Sequence, residues 1–381
     1  MKISIVANGF QEDYTLNLVN ALAGQDVVVD FIGSNIYDRS LIDERINFYN
    51  VRKEDPKEKS RLRKAYWVLS YFSWFFLYLV RQRKLCIHIQ WLRFNFMDGI
   101  FFPRLARLLG HRVVYTAHDV LPHNVDNRKV RILFKHIYKS QNNLVVHTNF
   151  NKNRIHSEFG ISMEKISVVK HGVYHIPEDQ RLDFESSKKA LGIGVDEYVL
   201  LFFGILTEYK GLDLLAESLK ELKEKTDQKV RLIVAGRVQT GFEDQMAELK
   251  EKHLGDEVLY FLRFIKNEEV NLLFGAADAT VLPYREASQS GVMFMSFAHG
   301  VPVIAPNLGG FPDDVLEGEM GFVFEKNDAE SLCSTIIKTI SRFGRNNKSD
   351  RQNIINLTSE NYQWEESASV LIKIYRNDPL R

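Results

Sequence analysis

Short apolar runs alternate along the chain with segments whose apolar residues recur at helical spacing. The apolar runs are Ile3–Ala7, Val27–Ile32, Leu85–Gln90, Arg112–Ala117, Leu144–His147 and Ile166–Lys170 in the first half, and 198–203, 230–235, 258–261, 279–282, 301–305 and 321–324 in the second. Such runs read as buried strands, and the segments between them as helices. Strands that alternate with helices predict an α/β protein with parallel sheets.

The chain divides into two halves of this kind. Its 381 residues exceed one ordinary hydrophobic core, so two domains are expected. Residues 178–187 are polar and lack periodicity, which predicts a linker there. We therefore expect Rossmann-like domains over 1–180 and 188–363, followed by an amphipathic helix over Trp364–Tyr375 within the last segment, 364–381.

One stretch in the second half has the layout of a ligand site. The strand Ala279–Leu282 leads into a polar loop, Glu286–Ser290, and then into an apolar helix, Gly291–His299. In open α/β sheets, ligands collect at the loop that follows the carboxyl end of a strand. A helix start offers free N–H groups and a positive dipole end, which suit a phosphate. An ordinary loop between strand and helix is the other interpretation of this stretch alone.

A second loop of this type occurs earlier in the same half. The strand at 198–203 stops at Gly204, and the following loop carries Lys210 and Gly211 before the next helix begins. A lysine in this position can reach a phosphate as a point charge. Two such loops in one domain favour a diphosphate site.

Three polar pairs end strands of the first half and are therefore expected on the ligand side of that sheet. They are Asn8–Gly9, His118–Asp119 and His171–Gly172. His118 can donate a hydrogen bond to a sugar or a phosphate, or it can be a loop histidine with a structural partner. Both interpretations of His118 remain open from the residues alone.

Residues 52–84 interrupt the alternation with ten Lys and Arg against three acidic residues. They surround the aromatic stretch Ala65–Val80, which is shorter than the ~20 residues that a membrane-spanning helix needs. Its Trp and Tyr residues favour a membrane interface, and the basic residues at 61–64 and 81–84 can meet anionic head groups. Three interpretations are open: a core helix, a helix lying in the membrane surface, and a membrane span.

Composition and charge narrow the class of protein. With 45% hydrophobic and 26% charged residues the chain is globular, and its net charge of +1 argues against a nucleic-acid partner. Residues 1–185 carry 27 Lys and Arg against 19 Asp and Glu, whereas the remainder carries 23 against 30. Cys86 and Cys333 lie in apolar context and are expected to be reduced. No signal peptide precedes the first strand, so we expect a cytoplasmic protein attached to the inner face of the membrane through 61–84.

These motifs together resemble the GT-B glycosyltransferases, specifically retaining enzymes of the GT4 group, in the subgroup with a Gln-Ser-Gly loop. The resemblance rests mainly on FFGILTEYKGLDLL at 202–215, LIVAG at 232–236, NEEVNLLFGAADATVLPYREASQSGV at 267–292 and HGVPVIAPNLGG at 299–310. Weaker matches are VVYTAHDVLPHN, LVVHTNF and ISVVKHGV in the first half. In this family the terminal helix crosses back onto the first domain.

The resemblance implies transfer of a hexose from a UDP- or GDP-linked sugar to a hydroxyl of a lipid-linked or glycan acceptor, such as a polyprenyl-diphosphate-linked one, in cell-envelope polysaccharide synthesis. The nucleotide sugar is a co-substrate, and no further cofactor is expected. The implied site comprises His118, Lys210 and Glu286 as catalytic residues; Gly204, Thr207, Lys210, Arg237, Phe264, Ile265, Tyr284, Gln289, Ser290 and Gly291 at the donor; and Asn8, Gly9, Asp119 and His171 at the acceptor. The chain contains no Asp-x-Asp, which agrees with a metal-independent enzyme.

The sequence departs from the family pattern in two places. Ile205 stands where the family usually has an arginine, and Met295 where it has the second of two glutamates. Glu286 lies one place from the expected position of the first glutamate. Two alternatives therefore stay open: a non-catalytic GT-B subunit that binds a partner, and a sugar-nucleotide epimerase of the same architecture.

Overall fold

The computed structural model describes residues 1–8, 11–53, 60–122, 125–173, 176–251, 257–345 and 348–377. Two compact units make up the chain. The first is Met1–Gly172 together with the C-terminal segment that begins at Tyr362, and the second is Val173–Asn361. Among the helices of the described ranges, none has the length and apolarity that crossing a membrane requires.

The first unit is a seven-stranded parallel sheet with helices on both faces. Its strands are β1 (Lys2–Val6), β2 (Val28–Gly33), β3 (Asn47–Asn50), β4 (Cys86–Ile89), β5 (Arg112–Thr116), β6 (Asn143–Val146) and β7 (Ile166–Val168). Its helices are α1 (Glu12–Ala23), α2 (Arg61–Arg81), α3 (Phe102–Leu108), α4 (Arg128–Ser140) and α5 (Asn149–Phe159), with α14 (Trp364–Arg376) from the end of the chain. The strand order is β3-β2-β1-β4-β5-β6-β7, so it reverses between β1 and β4.

Alternating side chains of the strands build two cores in this unit. Ile3 and Ile5 point to one face of the sheet, where α1 and α14 pack. Val6 points to the other face, where residues of α2 to α5 form the second core. Both faces are covered, as expected for a doubly wound parallel sheet.

The last helix, α14, is integral to the first unit. Its Tyr375 hydroxyl lies 2.6 Å from His88 Nδ1, and its Ser367 hydroxyl donates to the Lys170 carbonyl at 2.8 Å. A Cβ atom on Gly172 would come within 2.2 Å of the Trp364 indole, so only glycine allows this approach. Contacts from both ends of α14 therefore fix it to β4 and to the segment that follows β7.

Helix α2 is held to the sheet through its aromatic face. The Tyr78 hydroxyl lies 2.5 Å from Ser4 Oγ and donates to Asp30 Oδ2 at 2.5 Å, while Tyr71 contacts the buried Arg52 guanidinium. Burial raises the pKa of Tyr78 well above its usual range. One face of α2 therefore belongs to the core, as the core-helix interpretation of this segment predicted for the whole helix.

The second unit is a six-stranded parallel sheet with the order β10-β9-β8-β11-β12-β13. Its strands are β8 (Tyr198–Phe203), β9 (Val230–Ala235), β10 (Val258–Phe261), β11 (Ala279–Val281), β12 (Val303–Pro306) and β13 (Gly321–Phe324). Its helices are α6 (Phe184–Ala190), α7 (Leu212–Lys225), α8 (Glu243–Leu249), α9 (Asn267–Ala276), α10 (Gly291–Ala298), α11 (Phe311–Asp314), α12 (Ala329–Phe343) and α13 (Lys348–Asn361). The strand order reverses between β8 and β11.

The predicted α/β class with two parallel sheets is confirmed, and two local predictions are wrong. Residues 184–187 are not linker: they belong to α6, which packs on α9 because Phe184 and Ser187 are buried. The strand β3 was missed because Asn47–Asn50 has only two apolar residues and is half exposed.

Candidate donor site and imidazole cluster

The two loops singled out in the second half follow adjacent strands at the reversal of strand order. The loop after β8 carries Lys210, and the loop after β11 carries Glu286, Gln289 and Ser290. Doubly wound sheets bind ligands at this point, because neighbouring loops diverge there and leave a crevice at the strand ends. The site is therefore positioned by the topology of the sheet.

Lys210 reaches the end of β8 and the start of α10. A Cβ atom placed on Gly204 would lie 2.5 Å from Lys210 Nζ and 3.4 Å from Val292 Cγ2. Gly204 has φ 108°, a conformation that favours glycine, and its missing side chain leaves the space that the ammonium group occupies. The strand end, the lysine and the first turn of α10 thus converge.

The ammonium of Lys210 is buried without a carboxylate. Only 7% of the residue is exposed, and in the part of the chain that the structure describes Lys210 forms no ion pair. Burial lowers the pKa of Lys210 below its usual value, and a weaker effect of Tyr209 opposes this. The Tyr284 ring, whose centroid lies 5.3 Å from Nζ, gives modest compensation. A bound anion would stabilise the charged form.

The start of α10 provides donors for such an anion. As at any helix start, the first amides, those of Gly291 and Val292, have no acceptor within the helix, and Ser290 makes no side-chain cap. Ser290 Oγ donates instead to the Tyr284 hydroxyl at 3.4 Å. Burial raises the pKa of Tyr284 to about 12, so its hydroxyl stays protonated. The N–H groups and the lysine are both suited to negative charge.

The remaining donor-side residues divide by exposure. Thr207 is buried, and its Oγ1 has no hydrogen-bond partner among the described residues. Ile265 is buried, Gln289 is half-buried, and Arg237, Phe264 and Glu286 are exposed.

Arg237 follows β9 and lies next to Ile205, which follows the adjacent strand β8. The main chains pair through Leu206 N–H to the Arg237 carbonyl at 2.9 Å, and Leu206 and Val238 form a parallel bridge. In that register Ile205 and Arg237 stand side by side. A cation is therefore present one strand away from the position at which the family pattern has its arginine.

His118 lies in the first unit and belongs to an aromatic cluster. Its ring stacks on Trp91 with centroids 3.7 Å apart and an interplanar angle of 7°. Tyr14 of α1 contacts His118, His147 and His171 edge-on or tilted at 4.9–5.6 Å. The three histidines follow β5, β6 and β7, so the cluster lies along the carboxyl edge of this sheet.

The imidazoles in this cluster are uncharged at neutral pH. Burial lowers the pKa of His118 well below its usual range, the neighbouring His147 adds to this, and the main chain of Gln90 opposes it. His147 Nδ1 donates to the Val169 carbonyl at 2.8 Å, and its Nε2 lies 3.2 Å from His118 Nδ1. The same burial lowers the pKa of His171 to about 3. The cluster provides hydrogen bonds rather than charge.

The acceptor-side residues also lie at strand ends of the first unit. Asn8 follows β1, and its carbonyl accepts from the Tyr37 hydroxyl. Asp119 is half-buried after β5, and His171 is buried with Nδ1 2.5 Å from the Gly172 carbonyl. Gly9 lies outside the described residues. The predicted first-half residues thus share one edge, and the predicted second-half residues share the other sheet's edge.

Sequence reasoning missed several residues of these two groups. Tyr14, Trp91 and His147 are part of the imidazole cluster, and Asp213 and Arg285 link the two donor loops. His147 could have been found, since it ends a strand as His118 does. The link between Asp213 and Arg285 had no signal, because 72 positions separate them.

Comparison with known proteins agrees with this architecture. Two parallel Rossmann-like sheets, each with a reversal of strand order, are the architecture of the GT-B fold. Residues 183–356 match the family model for glycosyl transferases group 1, and residues 11–175 match that for glycosyltransferase family 4. The chain therefore belongs to the group 1, or family 4, glycosyltransferases.

Individual relatives are distant. An uncharacterized glycosyltransferase of Methanocaldococcus jannaschii is 24% identical over 59% of this chain and 57% of its own length. The D-inositol 3-phosphate glycosyltransferase of Corynebacterium urealyticum is 26% identical over 65% of this chain and 60% of its own. The matched region thus spans less than two thirds of either relative.

Solved structures share the fold. The Anabaena protein HepE in complex with UDP superimposes with a TM-score of 0.74 at 15% identity, and the alignment covers 99% of this chain and 100% of HepE. At this identity the likeness is evidence for the fold alone.

The lowered pKa of Lys210 predicts how UDP affinity depends on pH. An anion binds the protonated lysine, so the dissociation constant should rise with pH, starting below the usual lysine pKa of ~10.4. Isothermal titration with UDP between about pH 7.5 and 10 measures this. Lys210→Met should bind weakly with little pH dependence. An equal pH dependence in both proteins would contradict the assignment.

Proposed function

We propose that this chain is a retaining glycosyltransferase that moves a hexose from a UDP- or GDP-linked sugar to a hydroxyl of a lipid-linked or polysaccharide acceptor. The observation that carries the proposal is the buried Lys210 beside the first turn of α10, which has no ion-pair partner among the residues that the structure describes. Family membership supplies the reaction class. The UDP bound to HepE supports a nucleotide diphosphate as the leaving group.

The proposed mechanism is electrostatic. As the bond between sugar and diphosphate breaks, negative charge develops on the leaving phosphate. Lys210 and the first amides of α10 are placed to stabilise it, and such preorganised donors usually make a large contribution to catalysis. Arg237 is proposed to add a second positive charge from the neighbouring strand end. The leaving phosphate takes the proton of the acceptor hydroxyl, so no carboxylate nucleophile or metal ion has a part in the proposal.

The neutral cluster around His118 suits an uncharged partner. Imidazoles that carry no charge at neutral pH can accept or donate hydrogen bonds to hydroxyl groups without attracting the diphosphate. We propose that His118 contacts the transferred sugar, with Asn8, Asp119 and His171 on the acceptor side. The proposed division of roles is therefore charge in the second unit and neutral hydrogen bonding in the first.

Helix α2 supports a membrane-linked acceptor. Leu62, Tyr66, Leu69, Phe76, Leu77 and Val80 are 44–85% exposed and recur at helical spacing, so they form one stripe opposite the buried Tyr71, Phe75 and Tyr78. Six basic residues flank the stripe at 61–64 and 81–84. A symmetric protein dimer on this stripe would bring like charges together, whereas an anionic lipid surface complements them. We therefore propose that α2 lies in the inner surface of the cell membrane.

Replacement of Lys210 by alanine tests the reaction. We expect at least a ~100-fold loss of transfer, since one donor to the developing charge contributes about 3 kcal/mol. The donor is whichever of UDP-glucose, UDP-N-acetylglucosamine and GDP-mannose raises the melting temperature most, and a total membrane lipid extract serves as the acceptor. Nuclear magnetic resonance of the product gives its anomeric configuration, which should equal that of the donor.

The control for this assay is Lys223→Ala, which removes an exposed lysine of α7 and should leave transfer unchanged. Near-normal turnover of Lys210→Ala would contradict the role of Lys210. An inverted product would contradict retention. An epimerised nucleotide sugar in place of a transferred sugar would identify the epimerase alternative.

The His118 assignment predicts a loss in kcat/KM without loss of nucleotide affinity. His118→Phe keeps a ring against Trp91 but removes both nitrogens, and we expect a loss of about 2–4 kcal/mol in kcat/KM. UDP affinity should be unchanged, because the proposed diphosphate site lies in the second unit. His136→Ala, an exposed histidine of α4, is the control. Full activity in His118→Phe would make His118 a packing residue only.

Vesicle binding tests the α2 surface. The unsubstituted protein should bind anionic vesicles, and added salt should weaken the binding. Replacing Arg61, Arg63, Lys64, Arg81, Arg83 and Lys84 by glutamine should abolish it, at about 1 kcal/mol per residue. Leu69→Ser should weaken insertion, whereas Val195→Ser, equally exposed in the second unit, should not. If the protein does not bind anionic vesicles, the proposal that α2 lies in the membrane surface is wrong.

A further inference from the structure

Arg285 joins the two loops of the candidate donor site. It lies in the loop after β11, and its main-chain N–H donates to the Tyr209 carbonyl at 2.7 Å. Its Nη1 donates to the Glu208 carbonyl at 3.2 Å. Both acceptors immediately precede Lys210 in the loop after β8. The β11 loop therefore holds the residues on one side of Lys210.

The residues on the other side of Lys210 are held as well. Arg285 forms a two-pronged ion pair with Asp213 in the first turn of α7, with Nη1–Oδ1 at 2.7 Å and Nη2–Oδ2 at 2.6 Å. Burial acts to raise the pKa of Asp213, but the hydrogen bonds from Arg285 outweigh it and lower that pKa. Gly211 packs so closely on Pro283 that a Cβ atom would lie 2.0 Å from its carbonyl oxygen.

These contacts leave the Arg285 side chain little capacity for a ligand. Nη1 serves both the Glu208 carbonyl and Asp213, and Nη2 serves Asp213. A guanidinium in a planar, two-pronged pair is rigid, which makes it effective at fixing geometry. Lys210, by contrast, has no such partner among the described residues. One cation is committed to structure, and the other is left for an anion.

We propose that Arg285 is a positioning residue that, through Asp213 and the Glu208 and Tyr209 carbonyls, locks the Lys210 loop to the loop of Gln289, Ser290 and Gly291. The lock makes the ammonium group and the α10 amides one rigid receptor for a diphosphate. This inference rests on the proposed function. It differs from direct phosphate binding by Arg285, which would not involve Asp213.

A double-mutant cycle distinguishes positioning from direct binding. We expect Arg285→Ala and Asp213→Ala each to lower kcat roughly 10- to 100-fold, because a small displacement of a catalytic group has this cost. KM for the donor should change less. The double variant should be no worse than the worse single variant, since both remove the same lock. Arg285→Lys, which can form only one hydrogen bond of the pair, should be intermediate.

Hydrogen exchange provides a readout that does not depend on catalysis. Amides of 206–214 should exchange faster in Arg285→Ala and Asp213→Ala than in the unsubstituted chain, and Asp213→Asn should lie between. Arg231→Ala is the matched control: it removes a similar ion pair with Glu197 at the start of β9, the opposite edge of the same sheet. It should change neither exchange in 206–214 nor kcat.

Three results would overturn the lock. They are additive effects of the two alanine variants, a normal Asp213→Ala enzyme beside an impaired Arg285→Ala enzyme, and unchanged exchange of 206–214 in both. The second result would make Arg285 a direct ligand. If the unsubstituted chain neither transfers sugar nor binds UDP, the proposed function fails, whereas the exchange experiment still decides whether the lock exists.

Discussion

The constraint on which the second unit depends is the buried ammonium of Lys210 at the end of β8, which pairs with no carboxylate of the described ranges. Lys210 is buried beside the positive end of α10, so two features of the same sign meet at one point. Burial of a lone ammonium is costly, and the Tyr284 ring offsets only part of the cost. An anion that sits between the lysine and the α10 amides would remove this conflict, and this is the physical basis of the proposed diphosphate site.

Neighbouring residues hold the Lys210 loop against the start of α10. Gly204 leaves room for the ammonium, Gly211 allows the loop to pack on Pro283, and Arg285 ties the two loops together. None of these residues needs to touch a ligand. Their common effect is to hold the loop that carries Lys210 in the position in which the ammonium group is buried.

The first unit carries a contrasting kind of site. Burial keeps the imidazoles of His118, His147 and His171 neutral, and Tyr14 and Trp91 pack against them. Such a group can form hydrogen bonds with hydroxyls and contributes no charge. Its firm packing includes α14, the last helix of the chain, through the contact between Trp364 and Tyr14. The end of the sequence thus helps to shape the cluster near strands β5 to β7.

Much of this could be predicted from local sequence. Nine of the twelve predicted strands have a neighbouring strand on both sides, and the buried apolar runs of such strands are distinctive. The Lys210 loop and the α10 start were predicted because each lies within a single strand–loop–helix segment. The ion pair between Arg285 and Asp213 could not be predicted. The two residues are 72 positions apart in the sequence, and only the folded sheet brings them together.

Helix α2 shows a second limit. Its sequence is apolar and aromatic on every side, so periodicity could not say which face is core. The hydrogen bonds of Tyr78 to Ser4 and Asp30, which select that face, join residues far apart in the chain. The predicted linker 178–187 overlaps the start of α6 for a related reason: the seven residues of α6 are too few for a periodic signal, and burial against α9 determines its structure.

The most direct test of the account is a crystal structure of the protein with UDP bound. We expect the diphosphate at the reversal of strand order between β8 and β11. One of its oxygens should lie within hydrogen-bond distance of Lys210 Nζ, and another should face the amides of Gly291 and Val292. Arg285 should remain paired with Asp213. A diphosphate bound elsewhere, with Lys210 still buried and in contact with no anion, would contradict the role of Lys210 as a diphosphate ligand.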